Sequence, residues 1–109
     1  MASKLWERTC VPCQGGTPPL DGARIKELLE ELNSDWEVVD DHHLTRTFLS
    51  PDFMTGLAFV QNVAAVAEQQ GHHPDIRLSW GQVTVDIHTH KIDGLTESDF
   101  VLAAKIDVL

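Results

Sequence analysis

Apolar residues recur at two different periods along the 109-residue chain, and the switches between them outline its elements. Ile25, Leu28, Leu29 and Leu32 repeat at helical spacing with Lys26, Glu27, Glu30 and Glu31 on the outer face, which predicts a helix from about Asp21 to Asn33-Ser34. Trp36, Val38 and Val39 then begin a short strand, Asp40-Asp41 turn the chain, and His43 to Leu49 alternate as its hairpin partner. Ser50-Pro51-Asp52 reads as a helix start, with Ser50 as cap, Pro51 in the first helical position and Asp52 at the positive end of the dipole. Phe53, Leu57, Val60, Ala64 and Ala67 then form one apolar stripe, and Gly71 ends the helix as a left-handed cap.

Beyond Pro74, Ile76, Leu78 and Trp80 alternate, placing Trp80 in the core. Gly81-Gln82 turns, and Val83, Val85 and Ile87 alternate with Thr84, Asp86 and His88 in a strand that runs on through His90. Thr96 and Asp99 have the spacing of a capping box, and Leu95 with Phe100 that of a hydrophobic staple, so a last helix starts there. The resulting order is α-β-β-α-β-β-α. Strands joined by short turns favour a four-stranded antiparallel sheet with the helices on one face, a two-layer α+β domain over residues 20–109. Residues 1–19, broken by Pro12, Gly15, Gly16, Pro18 and Pro19, read as an irregular arm. The last helix is apolar on nearly every side through Val101, Leu102, Ile106, Val108 and Leu109. Part of that surface is therefore expected to face another subunit, in a homodimer or homotetramer.

Charge narrows the partners. Eight basic against seventeen acidic residues leave a formal net charge of −9, which disfavours nucleic acid and anionic membranes. No apolar run approaches the roughly 18 residues of a membrane span, and the N-terminus has no secretory apolar region, so a cytoplasmic location is expected. The two cysteines, Cys10 and Cys13, lack the second pair that a tetrahedral zinc site requires. The glycine- and proline-rich stretch after them is not the helix of a thioredoxin-type motif, so they read as two thiols on an irregular arm.

The candidate chemistry lies between Glu68 and Asp99. His72-His73-Pro74 follows the Gly71 helix end, and the proline holds His73 extended. His90 shares a strand face with His88. Histidine titrates nearest neutrality, so His72, His73 and His90 are candidates for proton donors and acceptors, with Glu68 and Asp99 to orient or tune them. No carboxylate stands at ligand spacing among these histidines and no His-Glu-x-x-His motif occurs, so no metal is expected. His42-His43, at a strand start with no partner in sequence, reads as a pair of exposed or partly buried polar residues.

The spaced set Glu68, His72-His73-Pro74, Trp80, His90 and Asp99 resembles the signature of the pterin-4a-carbinolamine dehydratases. The likeness runs from about Leu20 to Leu109 and includes Phe48, Phe53, Thr89-His90, Gly94-Leu95-Thr96 and Leu102-Ala103, while Cys10-Val11-Pro12-Cys13 resembles the arm of bacterial members. His88 and Lys91 depart mildly from the pattern. The resemblance implies dehydration of a 4a-hydroxytetrahydropterin to the quinonoid dihydropterin, which recycles the cofactor of aromatic amino-acid hydroxylases. It implies no cofactor. His72, His73 and His90 would form the acid–base set with Glu68 and Asp99, and Gly71, His72, His73, His88, Thr89, His90 and Lys91 would line the pterin site. The competing reading is a non-catalytic dimerisation or assembly cofactor on the same fold.

Overall fold

The computed structural model describes residues 5–11 and 18–109, and its seven main elements follow the expected order. They are α1 (Gly22–Leu29), β1 (Glu37–Val39), β2 (His43–Leu49), α2 (Phe53–Gln70), β3 (Asp75–Ser79), β4 (Gln82–Ile87) and α3 (Glu97–Asp107). The four strands form one sheet in the order β1-β2-β4-β3, and every neighbouring pair is antiparallel. The fold is therefore α+β. Leu44 pairs with Ile87, Phe48 with Val83 and Ile76 with Val85, so these side chains share the face that packs against the helices. The opposite face is polar: Thr45 Oγ1 donates to Asp86 Oδ1 at 2.5 Å, and the hydroxyls of Thr47 and Thr84 meet at 3.1 Å.

Several local expectations shift for identifiable reasons. α1 stops at Leu29 rather than Asn33-Ser34, because the next amides fold into tighter turns (Glu31 to Leu28 and Leu32 to Leu29) that still bury Leu32. The cap of α2 is Asp52, whose Oδ1 accepts from Thr55 N at 2.7 Å. Ser50 is used elsewhere, its N–H donating to Gly81 O at 3.0 Å and its Oγ to Asp52 O at 3.1 Å. α2 approaches the sheet at Gly56, where an added Cβ would lie 3.0 Å from Leu78 Cδ1. The buried stripe is accordingly Gly56, Val63 and Ala67; Phe53 and Ala64 face out, while Leu57 and Val60 are half-buried.

Trp80 is not in the core. Ser79 pairs with Gln82, so the hairpin turn is Trp80-Gly81, with Gly81 at φ 84°, and Trp80 stands at its tip 73% exposed. β4 ends at Ile87 rather than at His90. Thr89 forms a single bridge to Gly94, and His90–Ile92 wind into a 3-10 turn closed by Asp93 at φ 52°.

The last helix is where folding differs most from expectation. Val101, Leu102 and Ile106 are at most 2% exposed within one chain, leaving Val108 and Leu109 as its outward apolar residues. Part of the surface expected to face a second subunit is covered by the chain's own arm. Leu5–Glu7 form a 3-10 turn against α3 with Leu5 buried, and Lys105 Nζ donates to Trp6 O at 2.9 Å. Cys10 Sγ donates to Ser98 O at 3.4 Å, and Ser98 Oγ bonds both the N–H and the carbonyl of Val11, at 2.9 and 3.0 Å. Pro12, Cys13, Gly15 and Gly16 lie outside the described residues.

Candidate active site

Two helix ends build the site. α2 terminates at Gly71 in the left-handed conformation (φ 65°, ψ 28°), and the His72 N–H closes back on Ala67 O at 3.1 Å, as a C-cap should. The cap turns the chain sharply and delivers His72 toward the start of α3. There Asp99, fully buried, is the third helical residue; its Oδ2 accepts from Thr96 N at 2.8 Å, closing the carboxylate half of the capping box.

Asp99 also does a second job. Its Oδ1 accepts from His72 Nε2–H at 2.5 Å, and Thr89 Oγ1 donates to Oδ2 at 2.8 Å. A buried carboxylate with these three donors is satisfied on both oxygens and fixes the His72 ring with its proton on Nε2. His73 is held differently: its Nε2–H donates to Glu68 Oε2 on the last turn of α2, at the exposed mouth. The two histidines thus each carry a separate carboxylate, and Glu68 partners His73 rather than His72.

His88, Thr89, His90 and Lys91 form the opposite wall, and with Gly71, His72 and His73 they enclose a pocket of about 250 Å³. His90 lies outside β4, but the turn keeps it beside His88, with ring centroids 4.2 Å apart. The remaining wall is one the sequence did not reveal: Cys10, Val11 and Gln70. Gln70 Oε1 accepts from Cys10 N at 2.9 Å, tying the arm to the end of α2. A contact between residues 60 apart has no local signal in the sequence.

His42, partly buried, has partners that the sequence did not show. Its Nε2–H donates to Asp93 Oδ1 at 2.6 Å, its Nδ1 then accepts from His43 Nδ1–H at 3.1 Å, and its ring lies 4.7 Å from that of His88. Burial, then the nearby His90 and His42, hold His88 below the usual imidazole value. The His42 hydrogen bond lowers Asp93. Folding also brings carboxylates to His88 that sequence spacing did not suggest, Asp93 and Asp75 among them.

The structure is an α+β domain with two carboxylate-held histidines lining a small pocket. The pterin 4 alpha carbinolamine dehydratase family model matches residues 18–109, and the chain belongs to that family. It is 53% identical over 105 residues to a protein of Rickettsia bellii, covering 96% of this chain and 93% of that one. It is 54% identical over 107 residues to one of Rubrobacter xylanophilus, covering 98% and 99%. Both relatives carry the provisional name pterin-4-alpha-carbinolamine dehydratase. A Brucella melitensis crystal structure described as a transcriptional coactivator/pterin dehydratase superposes with a TM-score of 0.76 at 33% identity, over 83% of this chain and 96% of that one. A pterin dehydratase-like RuBisCO assembly factor, at 22% identity and TM-score 0.58, shares the fold. No helix among the described residues is long and apolar enough to cross a membrane.

Proposed function

We propose that the protein dehydrates a 4a-hydroxytetrahydropterin by histidine acid–base catalysis. The observation that carries this reading is the convergence of His72, His73 and His90 on one pocket, two of them oriented by their own carboxylates. Loss of the 4a-hydroxyl as water requires a proton on the leaving oxygen and removal of the N5 proton. Three imidazoles on two facing walls suit a flat bicyclic substrate reacting at adjacent atoms. Asp99 and Glu68 act by positioning: each fixes which nitrogen of its histidine carries the proton. Gly71, His88, Thr89 and Lys91 complete the pterin contacts, and the product is the quinonoid dihydropterin, returned to an aromatic amino-acid hydroxylase. The chemistry uses no cofactor.

A homodimer or homotetramer belongs to the same reading, through α2 rather than α3. An 18-residue helix with Phe53 and Met54 exposed and Leu57 and Val60 half-buried has apolar surface left over. Sedimentation at micromolar concentration tests this.

The decisive assay follows disappearance of a 4a-hydroxytetrahydropterin against its spontaneous rate. Acceleration that falls in His72→Ala and His90→Ala supports the reading. No acceleration by well-folded protein overturns it in favour of a non-catalytic assembly or dimerisation role on the same fold.

A further inference from the structure

Three ligand-capable side chains meet at the edge of the pocket, and two of them, His42 and Asp93, have no part in the pterin reading. We propose that His42, His88 and Asp93 form a binding site for one divalent transition-metal ion of the zinc class. One candidate ligand atom from each residue lies within 4.8 Å of the others. Tetrahedral zinc, with bonds of about 2.0–2.2 Å, needs ligand atoms roughly 3.3 Å apart, so small side-chain rotations close the set. His42 Nε2 and Asp93 Oδ1, at 2.6 Å, need only separate slightly to admit an ion between them.

The surroundings suit a metal better than a bare hydrogen bond. Two imidazoles and a carboxylate make a borderline-soft donor set, the kind zinc, cobalt and nickel prefer to calcium or magnesium. Neither ring nitrogen of His88 has a hydrogen-bond partner among the described residues, so its donor capacity is unspent. A metal-bound imidazole normally directs its other nitrogen to a hydrogen-bonding neighbour. For His42 that neighbour is His43, whose Nδ1 lies 3.1 Å from His42 Nδ1 and accepts once Nε2 is metallated.

Two tight turns bring the three residues together. Among the described residues, the three non-glycine positions with positive φ are Asp40 (54°), Asp41 (51°) and Asp93 (52°). The first two form the turn that launches His42, and the third is itself a ligand. Asp takes this conformation readily in tight turns, and these turns place the elements that converge on the cluster.

A second grouping, Asp75, His88 and His90, shares His88 and competes for the same ion. We favour the first because two of its three members already touch. The proposal does not depend on catalysis, and its test contains no pterin.

Chelator-treated protein is titrated with Co²⁺ and then Zn²⁺, following visible cobalt absorption and binding heat. The expected result is one ion per chain with the visible bands of low-coordinate cobalt. His42→Ala, His88→Ser and Asp93→Asn should each weaken binding by about 10-fold or more, as losing a ligand should cost at least what losing its supporting partner does. Asp75→Asn and a double Cys10→Ser, Cys13→Ser variant should bind as the parent does. Absence of stoichiometric binding overturns the proposal. So does loss of binding in the Asp75 or cysteine variants with the His42 and Asp93 variants unaffected, or a thiolate-to-cobalt band in the near ultraviolet. A dehydratase that turns over but binds no cobalt refutes this site alone; a metal-binding protein without turnover refutes only the catalytic reading.

Discussion

Asp99→Asn isolates the second job of Asp99 from its first. The carboxylate accepts from Thr96 N and Thr89 Oγ1 on Oδ2 and from His72 Nε2 on Oδ1, at 2.8, 2.8 and 2.5 Å. An amide keeps one oxygen. Placed at the Oδ2 position, that oxygen preserves the helix cap, and the NH₂ then faces His72 Nε2, which must give up its proton and accept. The His72 tautomer is inverted while the fold keeps its bonds. Converting three charge-assisted bonds to neutral ones costs about 1 kcal/mol each, partly offset because a buried charge no longer needs solvating. The net loss is roughly 1–2 kcal/mol, tolerable against the ~5–15 kcal/mol of a typical domain. Asp99→Ala is the harsher control: it removes a cap worth about 1 kcal/mol and orphans buried donors at about 1–3 kcal/mol. Denaturant midpoints and stopped-flow pterin dehydration should therefore separate. Asp99→Asn stays folded but loses about 10²–10⁴ in rate, as a misplaced proton costs much of what a missing acid or base does. Nitrogen chemical shifts of His72 report the tautomer. A variant that keeps the parent rate with the tautomer inverted, or keeps the tautomer with both carboxamide faces satisfied, refutes the reasoning.

His90→Ala should lose a similar factor in rate, about 10²–10⁴, with stability unchanged within about 0.5 kcal/mol, because His90 is exposed; a matching fall in melting temperature would mark it as structural. Ser98→Ala deletes both bonds to Val11 and should cost about 1–2 kcal/mol, loosen the arm to proteolysis and raise KM more than it lowers kcat, since Cys10 and Val11 wall the pocket. An unchanged KM would remove the arm from the binding site. Arg24 hydrogen-bonds Glu97 at 2.6 Å and holds its carboxyl below the usual 4.5. That contribution is present above about pH 4.5 and lost as pH falls through the lowered folded value. Arg24→Ala should thus destabilise at about pH 6, and its gap to the parent in denaturant midpoint should narrow as pH falls below 4.5; a gap that does not narrow in acid would refute the pairing.

What the sequence determined by itself was local or periodic. Gly71 as a left-handed cap, Asp99 three residues into α3, the alternation of β2 and the order of helices and strands each depend on neighbours a few positions apart, where propensity and hydrogen-bond geometry act directly. The histidine set was readable for the same reason, helped by a spacing shared with a known family. The tertiary structure decided which surfaces were already covered. Trp80 alternates like a core residue, but the pairing of Ser79 with Gln82 puts it at a turn tip. α3 is buried on several sides partly because an arm 88 to 99 residues upstream lies on it, and no periodicity within a helix says whether a further partner is another subunit or the chain's own beginning. His42 meets Asp93 and His88 across about fifty residues of chain. Contacts of that span are set by sheet register and turn geometry together, so they are fixed only when the whole domain closes.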